Sequence, residues 1–130
     1  RVALETFSYF DMGKAPSLEE PERFYHGFVL GLMVELAGRY ILTSNRESGF
    51  GRYDVMLEPK RAEDNAYIIE FKVQDTDEKE LADTVLDALR QIDRQNYETA
   101  LAAKGIARER IRKYGFAFCG KRVQIGKVDQ

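Results

Sequence analysis

Apolar residues recur at four-residue intervals at Phe24, Phe28, Leu32 and Leu36, behind a capping-box sequence Ser17-Leu18-Glu19-Glu20 and a Pro21 suited to a first helical turn. This spacing predicts a helix that runs to about Ala37 and stops at Gly38. From Arg39 to Asn45 the run Tyr40-Ile41-Leu42-Thr43 is β-prone, and Ser48-Gly49-Phe50-Gly51 has turn chemistry. Tyr53 to Leu57 resumes the strand pattern and breaks at Glu58-Pro59-Lys60, and Ala66 to Val73 is the most apolar β-type segment of the chain. These last two strands are expected to pair as a hairpin. From Asp77, with Glu80 three residues on as a second capping box, Leu81, Val85, Leu89 and Ile92 form one helical stripe. Tyr97 and Leu101 extend it, so a single long helix is expected to end near Gly105. Tyr114 to Cys119 reads as a continuous apolar strand, Gly120-Lys121 as a tight turn, and Arg122 to Val128 as an alternating edge strand.

The first sixteen residues carry Phe7, Tyr9 and Phe10 without a sustained period and end in Gly13-Lys14-Ala15-Pro16. They read as a connecting segment from a preceding domain, and residues 17–130 as one domain. A chain of 130 residues is long enough for one buried core and too short for two. With 44% hydrophobic and 32% charged residues it is not a disordered tail or a low-complexity linker. One cysteine, Cys119, and one histidine, His26, exclude an internal disulfide and a Cys/His zinc cluster. The longest uncharged apolar stretch, Phe24 to Val34, falls well short of the ~20 residues a bilayer span needs, and no leader sequence follows Arg1. A cytoplasmic protein is the expectation.

The net charge of -2 conceals an asymmetry, because residues 104–130 hold eight basic residues against two acidic ones. An acidic body with a basic C-terminal segment is compatible with phosphate contacts at one edge and equally with an ordinary solvated surface. Gly115 to Lys121 has the spacing of a phosphate-binding loop, but Arg122 stands where a Ser or Thr would hold Mg2+, and the interior is strand-like.

The most informative anomaly is Ile68-Ile69-Glu70-Phe71-Lys72-Val73, where opposite charges two residues apart share one face of an apolar strand. Burying them is costly unless they pair or meet a further charge. Asp54 interrupts the neighbouring strand in the same manner, so a pairing of the two strands lets Asp54 and Glu70 converge. Two carboxylates so close repel unless a hard cation such as Mg2+ lies between them. Lys72 beside such an ion could orient or deprotonate a water and offset charge on an attacked phosphate. The plainer reading is a surface ion pair on an edge strand. Ile69, Phe71 and Val73 on the opposite face favour a central strand covered on both sides.

The α, β, β, β, α, β order with Asp54 on the second strand and Glu70-Phe71-Lys72 on the third resembles the PD-(D/E)xK nuclease superfamily over about residues 18–128. Four segments, residues 22–28, 44–49, 51–54 and 114–121, are similar to a branch found as the C-terminal domain behind AAA-type ATPase modules. The resemblance implies an α/β, restriction-endonuclease-like core, αβββαβ, with a central mixed sheet flanked by helices and an extra C-terminal edge strand. It also implies that Asp54 and Glu70 bind Mg2+ or Mn2+, that Lys72 is catalytic, and that the Phe71 carbonyl is an additional ligand. Relatives add an acid from the first helix, which places Glu22 in the catalytic set and His26, one turn on, beside the metal. Gln91, followed by Tyr97, resembles a Gln and Tyr found on the helix after the lysine strand. The Pro of the superfamily signature is replaced by Tyr53.

Two functions follow from different classes. One is a metal-dependent endonuclease acting on DNA, with Arg52, Lys121 and Arg122 as nucleic-acid contacts. The alternative is a catalytically silent module that binds nucleic acid or a partner and is attached to an ATPase domain.

Overall fold

Six strands assemble into one sheet in the order β1-β6-β5-β4-β3-β2. The strands are β1 (Val2–Ser8), β2 (Tyr40–Arg46), β3 (Arg52–Pro59), β4 (Ala66–Val73), β5 (Ile111–Cys119) and β6 (Arg122–Val128). The helices are α1 (Glu20–Leu36), α2 (Leu81–Gln95) and α3 (Tyr97–Ala103). The computed structural model describes the backbone of residues 2–8, 20–46 and 52–128, and side chains over 27–44 and 52–128. The Ser17 capping box and the Ser48–Gly51 turn lie outside the described residues.

β3 and β4 pair antiparallel, as their turn signals predict, whereas β4 and β5 run parallel because α2 and α3 carry the chain back between them. The sheet is therefore mixed. β4 sits inside it with neighbours on both sides, which matches the expectation of a covered central strand. Its two faces pack on different helices. Val55, Leu57, Ile69, Phe71, Phe118 and Val123 form a core with Val29 of α1, whose neighbour Phe28 meets Phe118 edge-on at 5.4 Å. Met56, Ala66, Ile68, Ile111 and Ala117 form the opposite core with Leu81, Val85, Leu89 and Ile92 of α2 and Leu101 of α3. Gly115 lets α2 approach this face, since a Cβ there would lie 3.0 Å from the Val85 carbonyl oxygen and 3.2 Å from the Ala88 Cβ.

Four departures from the sequence expectation have identifiable physical causes, two in a long-range strand pairing and two in the second helix. The N-terminal connecting segment contains a strand: Val2–Ser8 pairs antiparallel with Arg122–Val128. That pairing moves β6 one place in from the edge, so the C-terminal strand joins the sheet as expected but does not end it. The long second helix is two helices, because Asn96 adopts a left-handed conformation (φ 59°) that ends α2 and redirects the chain into α3. Its start is also later. The backbone N–H of Glu80 donates to Asp83 Oδ2 at 3.2 Å, so the box is Glu80/Asp83 and not Asp77/Glu80.

Candidate active site

Asp54 and Glu70 are cross-strand partners in the β3–β4 register, and Arg52 and Lys72 are the next pair along the same face. All four project toward α2, on the face opposite Phe71. Asp54 and Glu70 are 1% and 0% exposed and Lys72 is 4% exposed, so none of the three is a solvated surface charge. The edge-strand reading of Glu70 and Lys72 is thereby excluded.

Each charge has a defined neighbour. The Tyr97 hydroxyl donates to Asp54 Oδ1 at 2.7 Å, a contact that the break at Asn96 makes by placing Tyr97 at the start of α3. Arg52 Nη1 stands 3.5 Å from Glu70 Oε2, and its Nη2 donates to Asp87 Oδ2 of α2. Lys72 Nζ donates to the same Asp87 oxygen at 2.8 Å and to Glu78 Oε2 at 2.9 Å, with Asp75 Oδ2 at 3.1 Å. Burial pulls the Lys72 ammonium toward deprotonation, but hydrogen bonds to Asp87, Glu78 and Asp75 outweigh it and hold its pKa above the ordinary lysine value. Burial likewise pushes Asp87 up, and Lys72 and Arg52 overcome that and hold it below the ordinary carboxylate value. The three carboxylates hold Lys72 as a charged N–H donor.

The other candidate positions are distributed around this pair. Phe71 is fully buried on the opposite face, so only its backbone carbonyl is available as a ligand. Glu22 and His26 lie in the first turns of α1, with side chains outside the described residues. Gln91 lies one turn beyond Asp87 on α2 and accepts from Arg94 Nη1 at 3.5 Å, whereas the hydrogen bonds of Lys72 go to Asp87 and Glu78. Arg52, expected as a nucleic-acid contact, is half-buried and tied to Glu70 and Asp87. Because β5 runs parallel to β4, the turn with Lys121 and the exposed Arg122 lies at the same sheet end as Lys72.

The residues missed from the sequence are Asp75, Glu78, Thr84 and Asp87. Glu78 and Thr84 are joined by a hydrogen bond of 3.1 Å from the Thr84 hydroxyl to Glu78 Oε1. Asp87 carried a signal, as an acid three residues after Thr84 and four before Gln91, at the border of the helical face that packs on the sheet.

The donor set suits a hard divalent cation. Like charges directly opposed across two strands destabilise a sheet, and two buried carboxylates offer the oxygen ligands that Mg2+ takes while it keeps several waters. Among the described residues no group of three or more His, Cys, Asp or Glu is placed to hold a metal.

The family model of the PD-(D/E)XK nuclease superfamily matches residues 20–128. This chain belongs to the PD-(D/E)XK nuclease superfamily. The match spans α1 through β6 and includes Asp54, Glu70 and Lys72, so the restriction-endonuclease-like core is shared with that superfamily. Nucleases of the superfamily generally use divalent metals, and a nucleic-acid substrate is implied for a nuclease-like domain. No curated protein and no solved structure matches the chain. No helix among the described residues is long and apolar enough to cross a membrane.

Proposed function

We propose that this domain is a Mg2+- or Mn2+-dependent endonuclease that hydrolyses phosphodiester bonds in DNA, with Asp54 and Glu70 as the metal-binding carboxylates and Lys72 as the catalytic cation. The observation that carries this reading is the direct opposition of two buried carboxylates beside a buried ammonium. Bound there, the cation would polarise a phosphate oxygen and lower the pKa of a coordinated water. Lys72 contributes a charged N–H donor for an attacked phosphate or its water. Tyr97 fixes one Asp54 oxygen, and Arg52 keeps positive charge against Glu70. The Phe71 carbonyl and His26 are further ligands in this reading, Glu22 is an added acid, and Gln91 is a polar contact at the helix face. Arg122 and Lys121 contact the polynucleotide at the sheet end beyond Lys72, and Arg52 reaches it only by leaving Asp87. The likeness of residues 22–28, 44–49, 51–54 and 114–121 to the ATPase-associated branch supports an ATPase module as the domain's partner in a cytoplasmic protein.

The test is cleavage of supercoiled plasmid, linear duplex and RNA with Mg2+ or Mn2+ by wild type, Asp54→Ala, Glu70→Ala and Lys72→Ala. Loss of cleavage in all three variants supports the reading, and wild-type cleavage that survives them removes it. A second reading, a silent module regulating its partner, is favoured by one observation: three carboxylates lie within 3.1 Å of Lys72 Nζ, as many acceptors as the ammonium has protons. Divalent-ion binding by calorimetry separates the two, since a silent module retains partner or DNA binding without it.

A further inference from the structure

We propose that Asp75 is a built-in placeholder for a substrate phosphate oxygen at Lys72, a carboxylate that the polynucleotide displaces on binding; the inference rests on the nuclease reading above. Lys72 is 4% exposed and its three carboxylate partners are not equivalent. Glu78 is anchored from several directions. Its Oε1 accepts from the backbone N–H of Asp75 at 2.8 Å and from the Thr84 hydroxyl at 3.1 Å, and its carbonyl accepts from Gln74 Nε2 at 2.9 Å. Asp87 is held by Arg52 as well as by Lys72 and sits on a regular helix packed against the sheet.

Asp75 is different. Its side chain is 60% exposed, against 13% for Glu78 and 24% for Asp87, so it covers the solvent side of the ammonium. Among the described residues Lys72 is the one side chain that its carboxylate engages. It lies two residues past the end of β4, at the sheet end that also carries the exposed Arg122.

A phosphodiester brings one negative charge and oxygen acceptors, the same charge and acceptor type as Asp75. If Asp75 stayed in place, that phosphate would meet an ammonium whose protons are all directed elsewhere, beside Glu78, Asp87, Asp54 and Glu70. If Asp75 turns into water and the phosphate takes its position, the charge around Lys72 is unchanged and each proton keeps an acceptor. Glu78 and Asp87 then remain as positioning residues that hold the ammonium in place. Releasing an exposed carboxylate from an ion pair weakens phosphate binding by a factor of about three to five, the size of a surface ion pair.

The test measures affinity for a fluorescently labelled duplex oligonucleotide in Ca2+, and KM and kcat for its cleavage in Mn2+, with thermal unfolding as the control for folding. Asp75→Ala is expected to lower both Kd and KM by about three- to fivefold and to leave kcat within about twofold of wild type. Glu78→Gln is expected to lower kcat instead. Asp77→Asn removes an exposed acid two residues away and reports any general charge effect. An equal gain in Asp77→Asn, or no gain in Asp75→Ala, overturns the placeholder. So does a gain that persists when Asp75→Ala is combined with Lys72→Met. If the wild type binds the oligonucleotide but Asp54→Ala does not change cleavage, the nuclease reading fails, and the binding measurements still decide the role of Asp75.

Discussion

Lys72 and Lys113 both lie on the α2 face of the sheet, both are surrounded by carboxylates, and both are held above the ordinary lysine pKa because those partners outweigh the effect of burial. Lys113 donates to Glu98 at 2.9 Å and to Asp93 at 3.2 Å, and so ties α2 and α3 to β5. Lys72 is in the next cross-strand pair to Asp54 and Glu70 on the same sheet face and shares Asp87 with Arg52. Compensated burial of a lysine is therefore not what marks a site in this fold. What sets Lys72 apart, and what the proposed site rests on, is a pair of opposed carboxylates that the lysine does not itself neutralise.

The comparison breaks most sharply through cleavage. Lys72→Met is expected to reduce kcat by about 10²–10⁴-fold, the range for loss of one group that acts in the transition state. Lys113→Met should leave kcat within about twofold; equal losses in a plasmid-nicking assay would erase the distinction. A smaller effect separates the two faces of β4. Phe71→Ala removes a fully buried ring from the α1 face and should cost about 3–5 kcal/mol in urea unfolding. Gly115→Val, in β5 two residues from Lys113, places atoms against the Val85 carbonyl and should cost about 1–3 kcal/mol, with α2 displaced from Lys72. Lys113→Met itself should cost about 1 kcal/mol or less, since Asp93 is 70% exposed.

The smallest effect is in pH. Asp87 has a folded pKa below its unfolded value, so its stabilisation is complete above the unfolded value and is lost as pH falls through the folded one. Lys72 has a raised folded pKa, so its contribution is complete below the unfolded lysine value and is lost as pH rises through the folded one. The stability difference between wild type and Asp87→Asn should therefore be level through neutral pH and narrow in strong acid, as read by denaturant unfolding across pH.

Much of this was legible in the chain because period and punctuation agree with packing. The β3–β4 hairpin, its Asp54/Glu70 opposition and the central position of β4 follow from alternation and from the apolar residues flanking Glu70 and Lys72. The break at Asn96 was not, because Tyr97 and Leu101 continue the apolar stripe closely enough to hide a single left-handed residue. The Val2–Ser8 strand was not, because its partner β6 is distant in sequence and pairing of that kind leaves no local period. The acids around Lys72 were missed for a related reason: Asp75 and Glu78 lie in a connection whose composition reads as solvated, and only the fold turns them onto the ammonium.

The most direct measurement is anomalous diffraction from crystals of the wild-type domain soaked in Mn2+. A peak bridging the Asp54 and Glu70 carboxylates, absent from an Asp54→Asn crystal, is the expected result; carboxylates that diverge with no peak between them would contradict the assignment.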